Sequence, residues 1–422
     1  MTDPIERAFT FIQNQDAYAA DVMLKLLGVD TCVPEHGNYA AFCDLLESLY
    51  NPLGLRCERV VVPPEKAAQI RPRVTGERIN LVASQDTGKP PCSIYAHMDT
   101  VPIGEGWTHN PYGEVVGDRI YGRGAVDMKG SIGALLLALR TLSELNIEPR
   151  CDVVALMCTD EELGVYPGVR YLAEQGYVRG ELVWLEAGLQ APLQIFGSAG
   201  DIEVSLKASG RSSHSGMNFL GVNAVEAMVP MMEELMALKE RIEQQVSAIP
   251  LLPLSGAEGR KMSSMFNLNV VQGGVKANVL PAECSLTLDC RYIPEVTFEE
   301  IAADLQAAIQ RGRARSKALD WEIEIVHCYA PMAIDLGGPC AQRMRRALQA
   351  VHGYADAEII TGGLPASTDL GYVIQATGNN DVAGTGVFSV QTMAEVHRPD
   401  EYVEVQALKD AAKMLVHYLV LD

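Results

Sequence analysis

Apolar positions along the chain gather into short unbroken runs, and several of these runs stop at an acid or a histidine. Ser93-Ile94-Tyr95-Ala96 leads into His97 and Asp99, Val153-Val154-Ala155-Leu156-Met157-Cys158 into Glu161 and Glu162, and Leu182-Val183-Trp184-Leu185 into Glu186. Runs this short and continuous read as strands buried on both faces, as in a parallel sheet. Helical spacing over 129–145 and 168–175 places helices among them, so the stretch from 79 to 186 reads as βαβ units. Upstream, the pattern predicts helix, helix, strand, with an amphipathic helix over 39–50 and a strand over 55–62 closed by Pro63-Pro64.

Near 201 the pattern changes. The order becomes strand 202–208, helix 223–241, strands 265–271 and 283–290, helix 298–311 and strand 321–327. This βαββαβ succession is the ferredoxin-like plan, which needs a sheet and core of its own. A helix over 339–352, a strand near 358 and a helix over 405–421 return to the first pattern. The expected fold is therefore α/β: a mostly parallel-sheet catalytic domain at 1–195 and 333–422, with a ferredoxin-like α+β domain inserted at 196–332.

Length agrees with two domains, since 422 residues exceed what one hydrophobic core usually serves. The balance of 34 basic against 54 acidic residues, net charge −20, argues against nucleic acid or an anionic membrane surface as partner. No apolar run approaches the roughly 18 residues of a membrane span, and Met1-Thr2-Asp3-Pro4 opens without a basic leader. Ten scattered cysteines with no C-x-x-C pair suit small buried hydrophobes in a reducing cytoplasm.

Open α/β sheets bind ligands beyond the carboxyl ends of their strands, so these terminal acids and histidines should meet on one rim. Asp127 joins them from the loop Gly122-Arg123-Gly124-Ala125-Val126, and His397 from the segment ahead of Arg398-Pro399-Asp400-Glu401. His97 and Asp99 stand two apart and point the same way, and a metal-bound histidine commonly gives its other N–H to such a carboxylate. Asp127, just ahead of a helix, suits either a carboxylate shared by two cations or an N-cap. Glu161 and Glu162 diverge on an extended segment, so one can ligate while the other accepts a proton from metal-activated water. Two histidines, three carboxylates and a spare glutamate fit one or two divalent ions, zinc first, with manganese or cobalt also compatible.

The ordered set His97-Met98-Asp99, Gly122 to Gly130, Thr159-Asp160-Glu161-Glu162, Glu186, Ser213-His214-Ser215-Gly216 and Val396-His397-Arg398-Pro399-Asp400-Glu401 resembles the M20 metallopeptidase family from about residue 90 to the C-terminus. That family includes acetylornithine deacetylase, succinyl-diaminopimelate desuccinylase, aminoacylase-1 and carboxypeptidase G2. The resemblance implies that Asp127 bridges two metals, with His97 and Glu186 completing one site and Glu162 and His397 the other. It further implies Glu161 as general acid/base, Asp99 as the group orienting His97, and His214 as a carbonyl-polarising residue of an inserted dimerisation or lid domain. Asn278 and Arg291 match substrate-holding positions, Arg291 suiting a carboxylate through its planar fork. His36, His109, His327, His352 and His417 match no motif and are read as structural.

Three departures from the family bear on substrate. Ala187-Gly188 follows Glu186 where many relatives have proline, Asn218 stands where many have proline, and Leu163-Gly164-Val165-Tyr166-Pro167-Gly168 replaces a run into glycine pairs. Tyr166 could line a substrate pocket or pack its own loop. The expected function is hydrolysis of a C–N bond in a small carboxylate-bearing substrate, an N-acyl amino acid or dipeptide-like amide, by a cytoplasmic homodimer. The alternatives are an aminohydrolase releasing ammonia from an aromatic amine such as 5-nitroanthranilate, and a non-catalytic small-ligand binding protein.

Overall fold

The computed structural model describes residues 3–422 apart from 36, 72, 188–191, 254–256, 258, 390–391 and 393–394. The chain divides into two compact units, one made of 1–196, 334–362 and 372–422, the other of 197–333 and 363–371. The sequence pattern assigned 363–371 to the catalytic portion. The structure groups it with the second unit, where Leu252 N–H donates to the Gly363 carbonyl and Ala199 N–H to that of Ala366.

A six-stranded sheet forms the centre of the first unit, in the spatial order Arg56–Val61, Ile79–Ser84, Asp152–Cys158, Pro91–His97, Glu181–Trp184, Val382–Gly384. The last four are mutually parallel, and their neighbour Ile79–Ser84 runs antiparallel to Asp152–Cys158. The reversal has a simple cause. A parallel crossover needs a dozen or more residues, and the link 85–90 before Pro91 is too short to supply one. Every residue of Asp152–Cys158 is buried, as the unbroken apolar run requires. The strand expected near 358 begins at Ile360, after a tight turn over Asp356–Glu358.

Helix Lys129–Leu145 is apolar nearly all round and correspondingly buried along most of its length, packed by Asp16–Leu27 and by the C-terminal helix Val405–Val420. Its first turn passes so close to the loop carrying Asp127 that a Cβ at Gly130 would lie 2.2 Å from the Ala125 carbonyl oxygen. Only glycine permits that approach. The cysteines are free thiols, most of them buried, and among the described residues no helix is long and apolar enough to cross a membrane.

The second unit is a four-stranded antiparallel sheet in the order Met265–Gly273, Glu283–Tyr292, Gly200–Ser209, Asp320–Tyr329. Helices Ala224–Ile242 and Phe298–Arg315 pack on each other and on a core of Ile202, Val204, Leu206, Leu286 and Leu288. Strict alternation of buried and open positions along Glu283–Tyr292 shows one face on that core and one face away from it. A Thr297/Glu300 capping box starts the second helix. Replacing Gly130 by alanine should cost about 1–3 kcal/mol through overpacking, read as a lower denaturant midpoint of the full-length protein; an unchanged midpoint would show that the loop yields freely.

Candidate metal centre

Three parallel neighbours of the first unit end on one rim and deliver acids and histidines there. Pro91–His97 ends at His97, which is 0% exposed; Asp152–Cys158 leads to a one-turn helix over Glu161–Leu163; Glu181–Trp184 leads to Glu186. Asp127 arrives from the loop ahead of Lys129–Leu145. His397 arrives from the segment before Tyr402–Glu404, with a left-handed φ of 66° that is uncommon for a non-glycine residue.

These side chains form two groups that share Asp127. Ligand atoms of His97, Asp127 and Glu186 lie within 4.8 Å of one another, and so do those of Asp127, Glu162 and His397. His97 Nε2 is 3.0 Å from Asp127 Oδ1, while His397 Nε2 is 3.3 Å from both Asp127 Oδ2 and Glu162 Oε2. Two atoms each about 2.1 Å from a tetrahedral ion stand about 3.4 Å apart, so this spacing suits ligands of a common cation. Glu162 Oε1 is buried with no hydrogen-bond partner among the described residues, an orphaned acceptor that a cation would satisfy. The donor set of imidazole and carboxylate fits a divalent ion of hard-to-borderline character.

Electrostatics point the same way. Burial and the adjacent Asp127 charge push Glu162 up to about 7. Burial would raise Asp127 too, but hydrogen bonds from His397 and His97 hold it well below the usual carboxylate range. His397 is raised to about 10 by its hydrogen bonds to Asp127 and Glu162. His97 lies well above its ordinary value, because its bonds to Asp127 and Asp99 outweigh the burial that would lower it. Buried carboxylates packed against two imidazoles in this way call for positive charge among them, which a divalent ion would supply.

Asp99 does more than face His97. Its carboxylate lies 3.5 Å from His97 Nδ1 and also accepts the backbone N–H groups of Glu161 at 3.2 Å and Glu162 at 3.0 Å. Glu161 is 6% exposed and belongs to neither ligand group. Trp184 Nε1 donates to Glu186 Oε2 at 3.2 Å. Glu401 was legible only as part of a motif, yet it anchors the bridging loop: it accepts from Arg123 Nη1 at 2.6 Å, Val126 N at 2.9 Å and Asp127 N at 3.2 Å. Its signal in the sequence was an acid close behind His397, with Arg123 between two loop glycines.

Tyr166 follows the packing alternative. It is 1% exposed among Val62, Ile70 and Leu163, and its hydroxyl donates to Glu174 at 2.5 Å, so the side chain fills its own loop. In the second unit His214 is exposed at the head of a short turn, its Nδ1 accepting from Gly216 N at 3.1 Å. Asn278 is brought beside it, its carbonyl accepting from Ser215 N at 3.1 Å. Arg291 is already engaged: Nε donates to Asp289, Nη1 to Ser367 at 2.9 Å, and Nη2 lies 3.3 Å from Asp201. His36 and Gly188 lie outside the described residues.

Residues 93–420 match the model of peptidase family M20/M25/M40. The chain belongs to this family. A probable succinyl-diaminopimelate desuccinylase of Staphylococcus epidermidis is 26% identical over 346 residues, covering 78% of this chain and 83% of the relative. An acetylornithine deacetylase of Klebsiella pneumoniae is 26% identical over 380 residues, covering 88% of each. Among solved structures, the M20 metallo-carboxypeptidase Sso-CP2 of Sulfolobus solfataricus superposes with a TM-score of 0.78 at 17% identity, over 97% of this chain and 99% of that one. The protein is thus a metal-dependent amidohydrolase built on the M20 fold.

Metal uptake must expel the protons that Glu162 holds up to about 7 and His397 up to about 10. Titrating metal-stripped protein with Zn²⁺ should therefore show tighter binding as pH rises through this range, with protons released in buffers of differing ionisation enthalpy. In the stripped protein the raised His397 stabilises the fold fully below 6.5 and loses that contribution as pH rises through about 10, so melting temperature should fall along the same limb. Uptake independent of pH would overturn the assignment.

Proposed function

We propose that the protein hydrolyses the amide of a small N-acyl amino acid or dipeptide-like substrate, with Glu161 as general base. One observation carries this reading: two ligand groups share Asp127, while the buried Glu161, adjacent in sequence to Glu162, is left out of both. One or two divalent ions, zinc first and manganese or cobalt next, would be held by His97, Asp127 and Glu186 and by Asp127, Glu162 and His397. Such ions supply Lewis-acid polarisation and a lowered pKa for water.

Glu161 accepts a proton from the attacking water as its oxygen bonds to the acyl carbon, then returns that proton to the nitrogen as the C–N bond breaks. Asp99 fixes the tautomer of His97 and the backbone of both glutamates. His214 would help polarise the carbonyl. Arg291 would hold the substrate carboxylate with whatever donors Asp201, Asp289 and Ser367 leave to it, and Asn278 stands beside His214 as a further polar contact. The names of the desuccinylase and deacetylase relatives, both acyl-removing, favour an N-acyl amino acid over other amides. Free thiols agree with a reducing cytoplasm.

A homodimer assembled through the second unit completes the reading. Met265–Gly273 is an edge strand with Val270 and Val271 exposed, beside a helix exposing Val225 and Val229, and unpaired edges of this kind recruit a second chain. Sedimentation should give a dimer that Val271→Lys weakens; a wild-type monomer would end this part of the reading. On a panel of N-acetyl and N-succinyl amino acids, Glu161→Gln should lower kcat about 10²–10⁴-fold while bound metal stays unchanged. Ammonia release from aromatic amines with no amide turnover would move the reading to an aminohydrolase, and ligand binding with no turnover at all to a receptor.

A further inference from the structure

The residue before Glu161 is held in an unusual way. Asp160 adopts a left-handed conformation, φ 62°, which turns the chain out of its strand and into the short helix of Glu161–Leu163. Its carboxylate is fully buried and fastened by three donors: Arg78 through Nε at 2.9 Å and through Nη2, and the Tyr39 hydroxyl at 2.9 Å. Arg78 is itself fixed, with Nη1 on the Thr75 carbonyl at 3.0 Å and its guanidinium 4.7 Å from the Tyr39 ring centre. A buried ion pair is a poor source of stability compared with apolar packing of the same volume. Stability alone therefore does not account for this one.

Its place in the chain does. Thr159, one residue earlier, donates its N–H to Asn80 Oδ1 at 3.0 Å and accepts from Gly168 N at 2.7 Å. On the other flank Asp99 takes the N–H groups of Glu161 and Glu162. The backbone from which Glu161 projects is thus gripped on both sides, and the grip on the Asp160 side comes from Tyr39 and Arg78, which precede the family match that begins at residue 93. We propose that Arg78 and Tyr39 are positioning residues for Glu161, acting through the buried Asp160 carboxylate to set the direction from which the general base reaches the reacting water. This rests on the reading of Glu161 as that base. A displacement near 1 Å at a reacting group can cost about 10²-fold in rate, so loosening this clamp should register in turnover before it registers in binding.

The test uses full-length, metal-loaded protein, and the member of the N-acetyl and N-succinyl amino-acid panel that is hydrolysed fastest. Arg78→Lys keeps the charge and removes the fork; Tyr39→Phe keeps the ring and removes one hydrogen bond. Well below the melting temperature, Arg78→Lys should lower kcat about 10–10²-fold and Tyr39→Phe about 3–10-fold, with KM and bound metal per chain unchanged. In a Glu161→Gln background neither substitution should lower the residual rate further, because the group being positioned is gone. Wild-type kcat in the folded single variants would overturn the proposal. So would a loss that tracks lost metal, or a full additive loss on top of Glu161→Gln. Undiminished turnover by Glu161→Gln alone would instead remove the general-base reading beneath it, an outcome separable from the other three.

Discussion

The carboxylate of Asp127 stands between two imidazoles, one oxygen toward His97 and the other toward His397. Both ligand groups depend on that shared group, and so does everything that fixes its position. The loop carrying it is pinned from below by the close approach of Lys129–Leu145 at Gly130 and from the side by Glu401, which takes the N–H of Asp127 itself. Glu401 is buried against Arg123, so two segments of the first unit that are far apart in sequence meet beside Asp127. A glycine in a helix's first turn, a buried ion pair and a strained histidine backbone are thus aspects of one constraint.

That constraint concentrates negative charge. Asp99, Asp127, Glu161, Glu162 and Glu186 converge with two histidines on one sheet rim, in a chain that is already strongly acidic. Desolvated carboxylates repel unless something positive lies among them, which is why Glu162 is pushed upward and why the carboxylates beside them raise both histidines. Divalent ions answer the same need with greater charge and fixed ligand geometry. The spare glutamate then has a distinct chemical position: near the cluster, buried, and outside both ligand groups.

The second unit follows a different logic. Its sheet buries one face under two helices and turns the other outward, so its strands alternate where those of the first unit run continuously apolar. Arg291 on the outward face sits among Asp201, Asp289 and Ser367, which fix the direction of its guanidinium and reduce its free donors.

Much of this was legible in the residues alone, because burial writes itself into period. Continuous runs named the central strands, the βαββαβ succession named the second unit, and an acid or histidine at each run's end marked the rim. The family resemblance supplied the division of labour among those acids. Tertiary structure decided what has no local period: that Ile79–Ser84 reverses because its link is too short, that 363–371 joins the second unit through backbone hydrogen bonds, and that Tyr166 is consumed by packing and Glu174. It also decided which distant groups hold the turn at Asp160, since nothing near Asp160 in the sequence announces Arg78 or Tyr39. Contacts between residues far apart in the chain leave no spacing to read, and only the folded backbone brings them within reach.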